Sequence, residues 1–380
     1  MLDYSRRTVY DADQEAFRET VRKFYAKEVI PHLDRWEEEG VIEPSVMRKF
    51  GEAGFLCPTV PEAYGGLGLD FRYNAVVAEE NSYADSMVLV TLQSDVVVEY
   101  IVHYGTEEQK QKWLPRCVSG ETILAIAMTE PGAGSDLQGI RTTAVRDGDE
   151  YIINGSKTYI SAGQTCNLVV VVAKTDVSAG AKGTSLFLVE SDRPGFKRGR
   201  NLNKIGQNAA DTSELFFDNV RVPASNMLGE ENRGFVCMMS QLPQERLSIA
   251  ISSQAMAQRA FDEAVRFTSE RTAFGKKVIE FQNTRFTLAD LKARLQVGWA
   301  HLDWALARHV RKELTADEAA AAKLFHTELL WAVCDASLQL HGGAGYMNEY
   351  PIARIWRDAR VMRIFGGSSE IMKELMSRTL

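Results

Sequence analysis

Three long helical periodicities, Ala250–Arg271, Asn283–Lys312 and Asp317–Leu340, constrain the fold of this chain more than any other feature. Each exceeds ordinary helix length, and Asp317–Lys323 is rich in Ala, the strongest helix former. Long helices joined by short connectors pack as an antiparallel bundle, so residues 231–380 read as a helix bundle.

Two other zones precede it. Across residues 1–121 the pattern is also helical: Phe17, Val21, Phe24 and Tyr25 share one amphipathic face, with Asp11 as candidate N-cap. Pro31, Gly40 and Gly51 punctuate this zone, Gly65-Gly66-Leu67-Gly68 marks a tight loop, and helical pattern resumes from Arg72 through Tyr104. Across 122–230 the pattern shortens to strands. Tyr151–Ile153, Leu168–Ala173, Leu186–Val189, Leu215–Phe217 and Val220–Val222 are apolar runs bounded by turn formers, with Asp147-Gly148-Asp149 and Asn154-Gly155 as turn signals. The fold class that follows is α+β: helical N-terminal domain, small central β-domain, C-terminal bundle.

Bulk properties exclude several functions. The chain of 380 residues carries 44 basic and 51 acidic side chains, interspersed, for a net charge of −7, which gives no reason to expect nucleic-acid or anionic-membrane binding. Five scattered cysteines never form a C-x-x-C pair, and six histidines show no H-x-x-x-H spacing, so neither a disulfide framework nor a metal site is expected. Met1–Tyr25 has no apolar signal core, and no apolar run is long enough to span a bilayer. A cytoplasmic protein is the expectation. Trp299 and Trp304 read as core or interface.

Five motifs could carry chemistry, and each has a plain structural reading beside it. Met128-Thr129-Glu130-Pro131-Gly132-Ala133-Gly134-Ser135-Asp136 is a loop whose N–H groups and hydroxyls can face an anion, or simply a capped turn. In Lys157–Gly163, Tyr159 and Ser161 are two apart and share one side of a strand, suiting a flat cofactor or a half-buried hairpin equally. In Gln241-Leu242-Pro243-Gln244-Glu245-Arg246-Leu247, Pro243 reads as helix-initiating. Local sequence then favours Glu245 as a partner of the helix dipole over Glu245 as a desolvated general base. His341-Gly342-Gly343 and Phe365-Gly366-Gly367-Ser368-Ser369-Glu370 are glycine-broken helix ends, read as caps or as ligand approaches.

Taken together and in this order, these motifs resemble the acyl-CoA dehydrogenase family over Phe17–Leu380, closest to its long-chain subgroup. Asp149–Gly155, Arg271-Thr272-Ala273-Phe274-Gly275 and Arg357-Asp358-Ala359-Arg360 extend the match. The resemblance implies FAD between β-domain and bundle, and a homotetramer built as a dimer of dimers. It implies that Ile126, Met128 and Thr129 touch the flavin ring, that Gly134 belongs to the flavin loop, and that Ser135 meets the pyrophosphate and the CoA side of the substrate. Tyr159 would lie on the isoalloxazine and Ser161 reach flavin N5. Arg271, Phe274, Gln282, Gln339 and Gly343 would hold the ADP half across the dimer interface, with Ser368 and Glu370 at its other end.

Members of the family place the catalytic Glu at one of two sites. One is occupied here by Gly366, the other by Glu245, so the resemblance implies Glu245 as base and the Gly366 N–H as a donor to the thioester oxygen. Arg246 would support base or substrate, Phe365 would line the thioester pocket, and electron-transfer flavoprotein would reoxidise the cofactor. The expected reaction is dehydrogenation of an acyl-CoA to trans-2-enoyl-CoA. Rival readings are a carrier-protein thioester substrate, an oxidase, a flavin monooxygenase on the same fold, whose members typically lack the Glu, and a nucleic-acid-binding stress protein, which the negative charge disfavours. Asp95 and Glu99, at i and i+4 beside the expected acyl pocket, are expected to face solvent.

Overall fold

The structure, a computed structural model, describes residues 7–380; Met1–Arg6, part of the expected first domain and of the charged N-terminus, lie outside the described residues. Helix α1 (Ala12–Glu28) starts where the sequence places its cap: Asp11 accepts from Asp13 N, and Gln14 reaches back to Asp11 N, a reciprocal capping box. Val21 and Tyr25 are buried, with Phe17 and Phe24 packed against the same core. Helices α2 (Leu33–Glu39), α3 (Ser45–Glu52), α4 (Phe71–Tyr83), α5 (Val98–Tyr104) and α6 (Glu107–Val118) complete this part.

The helical stretch expected from Arg72 through Tyr104 is broken. Helix α4 ends at Tyr83, and the chain re-enters helix through a π-helical segment, Leu92–Val97, that runs into α5. A π-helix has a wider turn than an α-helix, so it rotates the following side chains out of the phase that a 3.6-residue wheel assigns.

Eight strands follow: β1 (Leu124–Ala127), β2 (Thr143–Asp147), β3 (Glu150–Ser161), β4 (Leu168–Lys174), β5 (Thr184–Glu190), β6 (Phe196–Asn201), β7 (Thr212–Pro223) and β8 (Met227–Leu228). Their order is β6-β7-β3-β2-β4-β5-β8, with β1 parallel to β4. The turn at Asp147-Gly148-Asp149 joins β2 to β3 as expected. Asn154-Gly155 is not a turn. It lies within β3 as a bulge against β7, where Gly155 sits directly on Thr142 and a Cβ would come 2.4 Å from the Thr142 hydroxyl. Likewise Leu215–Phe217 and Val220–Val222 belong to one irregular strand, β7.

The third part is built on α7 (Gly234–Glu270), which packs along α9 (Ala316–His341) with α8 (Gln282–Val310) and α4 beside it. A two-stranded hairpin, β9 (Thr272–Ala273) and β10 (Lys276–Lys277), joins α7 to α8, and α10 (Pro351–Ala359) and α11 (Ser369–Ser377) close the chain. The three expected periodicities are α7, α8 and α9, but α7 begins at Gly234, well before Ala250. Pro243 lies inside it rather than at its start, so Glu245 is interior to the helix and the dipole reading of that residue is overturned. Trp299 is buried, while Trp304 is partly exposed on α8.

Candidate active site

One cleft of about 360 Å³ opens between α4, the π-helical segment, the β-sheet, α7 and the turn after residue 364. Ile126, Met128, Thr129, Gly134, Tyr159 and Ser161 form its β-domain wall. Glu245 faces them from α7, and Phe365 and Gly366 close it from the C-terminal turn. Nine of the expected site residues therefore meet in one cavity.

The β-domain wall is held by a buried pair. Lys157 Nζ donates to Glu130 at 2.8 Å and to the Met128 carbonyl at 3.0 Å, and Glu130 also accepts from Arg141 N and Thr142 N. Burial pushes the Lys157 ammonium down to about 8, with Glu130 opposing that shift. Tyr159 and Ser161 reach the cleft by a different route from simple alternation. The register of β3 slips between Lys157 and Ile160, and Tyr159 takes a left-handed φ of 58° that leaves its ring 70% exposed. A bare aromatic ring beside Met128 and Ile126 is what a flat heteroaromatic ligand would cover.

Glycine placement points the same way. Gly132, Gly134 and Gly343 have neither a positive φ nor any neighbour within 4 Å of a Cβ, so nothing in the folded chain requires glycine at these positions. All three lie in motifs that could admit a phosphate-bearing group close to the backbone. The residues present thus fit a flavin nucleotide: an uncovered ring, an apolar wall, and open backbone at the loop.

Glu245 is 8% exposed, and its Oε1 accepts from the Tyr100 hydroxyl at 3.0 Å. Burial raises its carboxyl to about 7, and the Tyr100 hydrogen bond and the Arg246 charge only partly offset this. A carboxylate poised there can take a proton near neutral pH. Arg246 is itself buried, its Nε has no hydrogen-bond partner, and burial lowers its pKa with Glu245 opposing. It stands near Lys323, whose Nζ donates to the Gly367 carbonyl at 2.6 Å and so ties the C-terminal turn to α9.

Position 366 carries no side chain, and its backbone and surroundings disfavour one. Its φ is +64°, and a Cβ there would come 2.3 Å from Ile249 Cδ1, one helical turn beyond Glu245 on α7. Gly366 and Glu245 both line the cleft, and Ile249 of α7 packs against the backbone at 366.

Asp95 and Glu99 do not face solvent. Both are buried: Asp95 accepts from Asn74 at 2.9 Å and from the Ser248 hydroxyl, and Glu99 accepts from Thr59 at 3.1 Å and pairs with His103 at 3.3 Å. The π-helical turn brings Asp95 inward, where α7 and α4 supply donors. Burial pushes the Asp95 carboxyl up to about 7 against those hydrogen bonds.

The remaining expected site residues lie outside the cleft. Ser135 is exposed on the loop, Ser368 caps α11 by accepting from Ile371 N at 3.4 Å, and Glu370 is exposed in the first turn of that helix. Arg271, Phe274, Gln282, Gln339 and Gly343 share the far end of the bundle, where Phe267 stacks on His341 at 4.4 Å. Phe274 is 96% exposed there. Two contributors went unread in the sequence, Tyr100 and Lys157. A Tyr within an apolar helical run and a Lys on a strand carry no local signal of a buried partner.

The chain matches all three domain models of one family: acyl-CoA dehydrogenase, N-terminal domain over residues 11–121, middle domain over 125–220 and C-terminal domain over 232–380. The mitochondrial long-chain specific acyl-CoA dehydrogenase of Mus musculus is 46% identical over 383 aligned residues, covering 100% of this chain and 89% of that protein. The crystal structure of an acyl-CoA dehydrogenase from Geobacillus kaustophilus superimposes with a TM-score of 0.97 at 48% identity, covering 98% of this chain and 99% of that one. A glutaryl-CoA dehydrogenase from Mycobacterium smegmatis, solved in complex with FADH2, superimposes with a TM-score of 0.93 at 29% identity, covering 99% and 96%.

Proposed function

The chain belongs to the acyl-CoA dehydrogenase family, and on that premise we propose that Glu245 removes the α-proton of an acyl-CoA while the Gly366 N–H steadies the thioester oxygen. It is an oxidoreductase that dehydrogenates acyl-CoA, with FAD as cofactor. When bound, FAD supplies the acceptor for the β-hydrogen and its electron pair. The chain's own residues do the rest. Ile126, Met128, Thr129, Tyr159 and Ser161 seat the flavin ring, and Gly134 and Ser135 leave room for the pyrophosphate. Phe365 lines the thioester end, and Arg246 keeps a positive charge behind the base.

The α-proton of a thioester is weakly acidic, so charge developing on the oxygen must meet a fixed donor as the proton leaves. An acyl chain filling the cleft would exclude water, which raises the Glu245 carboxyl and strengthens both interactions. Beyond Glu245 the cleft follows α7 past Ile249 to Met256, roughly 16 Å at 1.5 Å per residue, which supports an extended acyl tail.

The assembly is read as a homotetramer, a dimer of dimers. Glu245 and Arg271 stand roughly 39 Å apart along α7, farther than one dinucleotide reaches, so Arg271, Phe274, Gln282, Gln339 and Gly343 are assigned to the cofactor of a second copy, with Ser368 and Glu370 at its other end. Exposed Phe274, Phe286 and Val297 support such an interface. Electron-transfer flavoprotein is the proposed acceptor. The divisions fall after residues 121 and 230, in the connections between α6 and β1 and between β8 and α7. Five buried free cysteines support a reducing compartment, read as the cytoplasm, and no helix among the described residues is long and apolar enough to cross a membrane.

The observation that carries this reading is a buried carboxyl facing the cleft at 245, in the same cleft as Gly366, which has no side chain to offer. Its test is anaerobic bleaching of the flavin by a panel of acyl-CoAs. Glu245→Gln should keep FAD and lose at least about a hundredfold in flavin reduction. Near-normal bleaching in that variant would overturn the base assignment, and long acyl chains should bleach the unaltered enzyme fastest.

A further inference from the structure

Four side chains along one face of α7 are laced to the segment 95–104. Gln241 Nε2 donates to the Tyr104 hydroxyl at 3.1 Å, and Gln244 Nε2 to the Asp95 carbonyl at 2.8 Å. Glu245 accepts from Tyr100 at 3.0 Å, and Ser248 donates to the Asp95 carboxyl. Of these, Glu245 and Ser248 also line the cleft, and only Glu245 changes its proton inventory during the reaction proposed above. The Tyr100 side chain is wholly buried, and its one hydroxyl bond goes to that carboxyl.

We propose that Tyr100 is a positioning residue of the reaction, its hydroxyl holding the Glu245 carboxyl in place through both of its protonation states. The inference rests on the reading of Glu245 as base. Its physical basis is the double capacity of a hydroxyl. Toward the carboxylate it donates, and once the carboxyl has taken the α-proton, the same oxygen accepts from the new O–H. A guanidinium, an ammonium or a backbone N–H could only donate, and would stabilise the ionised form alone.

The surroundings leave this task to Tyr100. Glu245 is faced from its own helix by Arg246 and from α5 by Tyr100, and Tyr100 in turn has Tyr104 and Cys237 beside it; Ser248 on α7 bonds to Asp95 of the π-helical segment, and Lys323 of α9 stands beside Arg246. Arg246 contributes charge and no hydrogen bond. Burial and the neighbouring Glu245 carboxylate hold the Tyr100 phenol well above its ordinary range, so it stays neutral and does not itself take the proton. The bond opposes burial, keeping part of the Glu245 population ionised at neutral pH.

The test uses FAD-loaded enzyme and two substitutions of opposite sign. Tyr100→Phe keeps the ring and removes the donor. A hydrogen bond to a charged group sets the expected shift: the acid limb of the pH profile for anaerobic flavin reduction moves up by about one to two units. 3-Fluorotyrosine at position 100, a stronger donor of nearly the same shape, moves it down, and keeps the test alive should Tyr100→Phe not fold. Difference infrared titration of the carboxyl C=O stretch, with Glu245→Gln as blank, follows the same midpoint without turnover. An unmoved limb, or a loss of rate by the same factor at every pH, overturns the role of Tyr100. Flavin reduction surviving in Glu245→Gln would instead remove the base assignment beneath it, and the two failures are distinct.

Discussion

Gly366→Ala is a one-methyl perturbation whose cost can be worked from the structure. The backbone at 366 has φ +64°, where an L-residue costs about 1–2 kcal/mol relative to glycine. The added methyl would also sit 2.3 Å from Ile249 Cδ1 but 3.8 Å from Cγ1, so a single atom makes the clash. That atom ends a flexible side chain and can swing aside at an off-rotamer cost of about 0.5–1.5 kcal/mol. The variant should therefore lose about 1.5–3.5 kcal/mol in total. Ile249→Val deletes the offending atom and by itself costs about 0.5–1.5 kcal/mol. In the double variant the packing part should vanish while the backbone part stays. Urea unfolding of the FAD-loaded wild type, both singles and the double, at one FAD concentration, closes the cycle. A coupling of about 0.5–1.5 kcal/mol in favour of the double is expected. Additivity within about 0.3 kcal/mol would refute the claim that Ile249 occupies the space a side chain at 366 needs.

Two further outcomes follow from the same geometry. Asp95 has a folded pKa of about 7, above its ordinary value of 3.8, so its neutral form favours folding: that contribution is complete below pH 3.8 and is lost as pH rises through about 7. Asp95→Asn should flatten the fall in unfolding free energy between pH 4 and 7, measured by denaturant titration at several pH values, and an unchanged slope would contradict the burial account. Tyr159, mostly exposed on the cleft wall, should be replaceable by Ala with less than about 0.5 kcal/mol change in the cofactor-free protein, yet with weaker FAD binding by fluorescence titration.

What the sequence discloses divides along physical lines. Asp11, the α7–α9 periodicities and the Asp147–Asp149 hairpin are local in origin: a cap, a repeat and a turn are each written in a few neighbouring residues. Pro243 misleads because an isolated proline prefers a first turn, whereas here α7 runs through it. Asp95 and Glu99 mislead because a wheel of fixed period cannot register the wider π-helical turn ahead of α5. Asn154-Gly155 has turn composition, but the nearby Thr142 and the bulge against β7 use it as close-approach backbone. The cleft residues were legible as motifs in order; Tyr100 was not, since its partner lies 145 positions away on another helix.

Gly132, Gly134 and Gly343 meet no resistance to a methyl group from anything in the folded chain. Selection for folding alone is blind to such positions, and a screen for expression or thermal stability would pass their alanine variants untouched. On the proposed reading of the cleft, alanine at these three sites would weaken nucleotide binding while the cofactor-free fold stayed as it is, so the scaffold and its nucleotide would be separately editable.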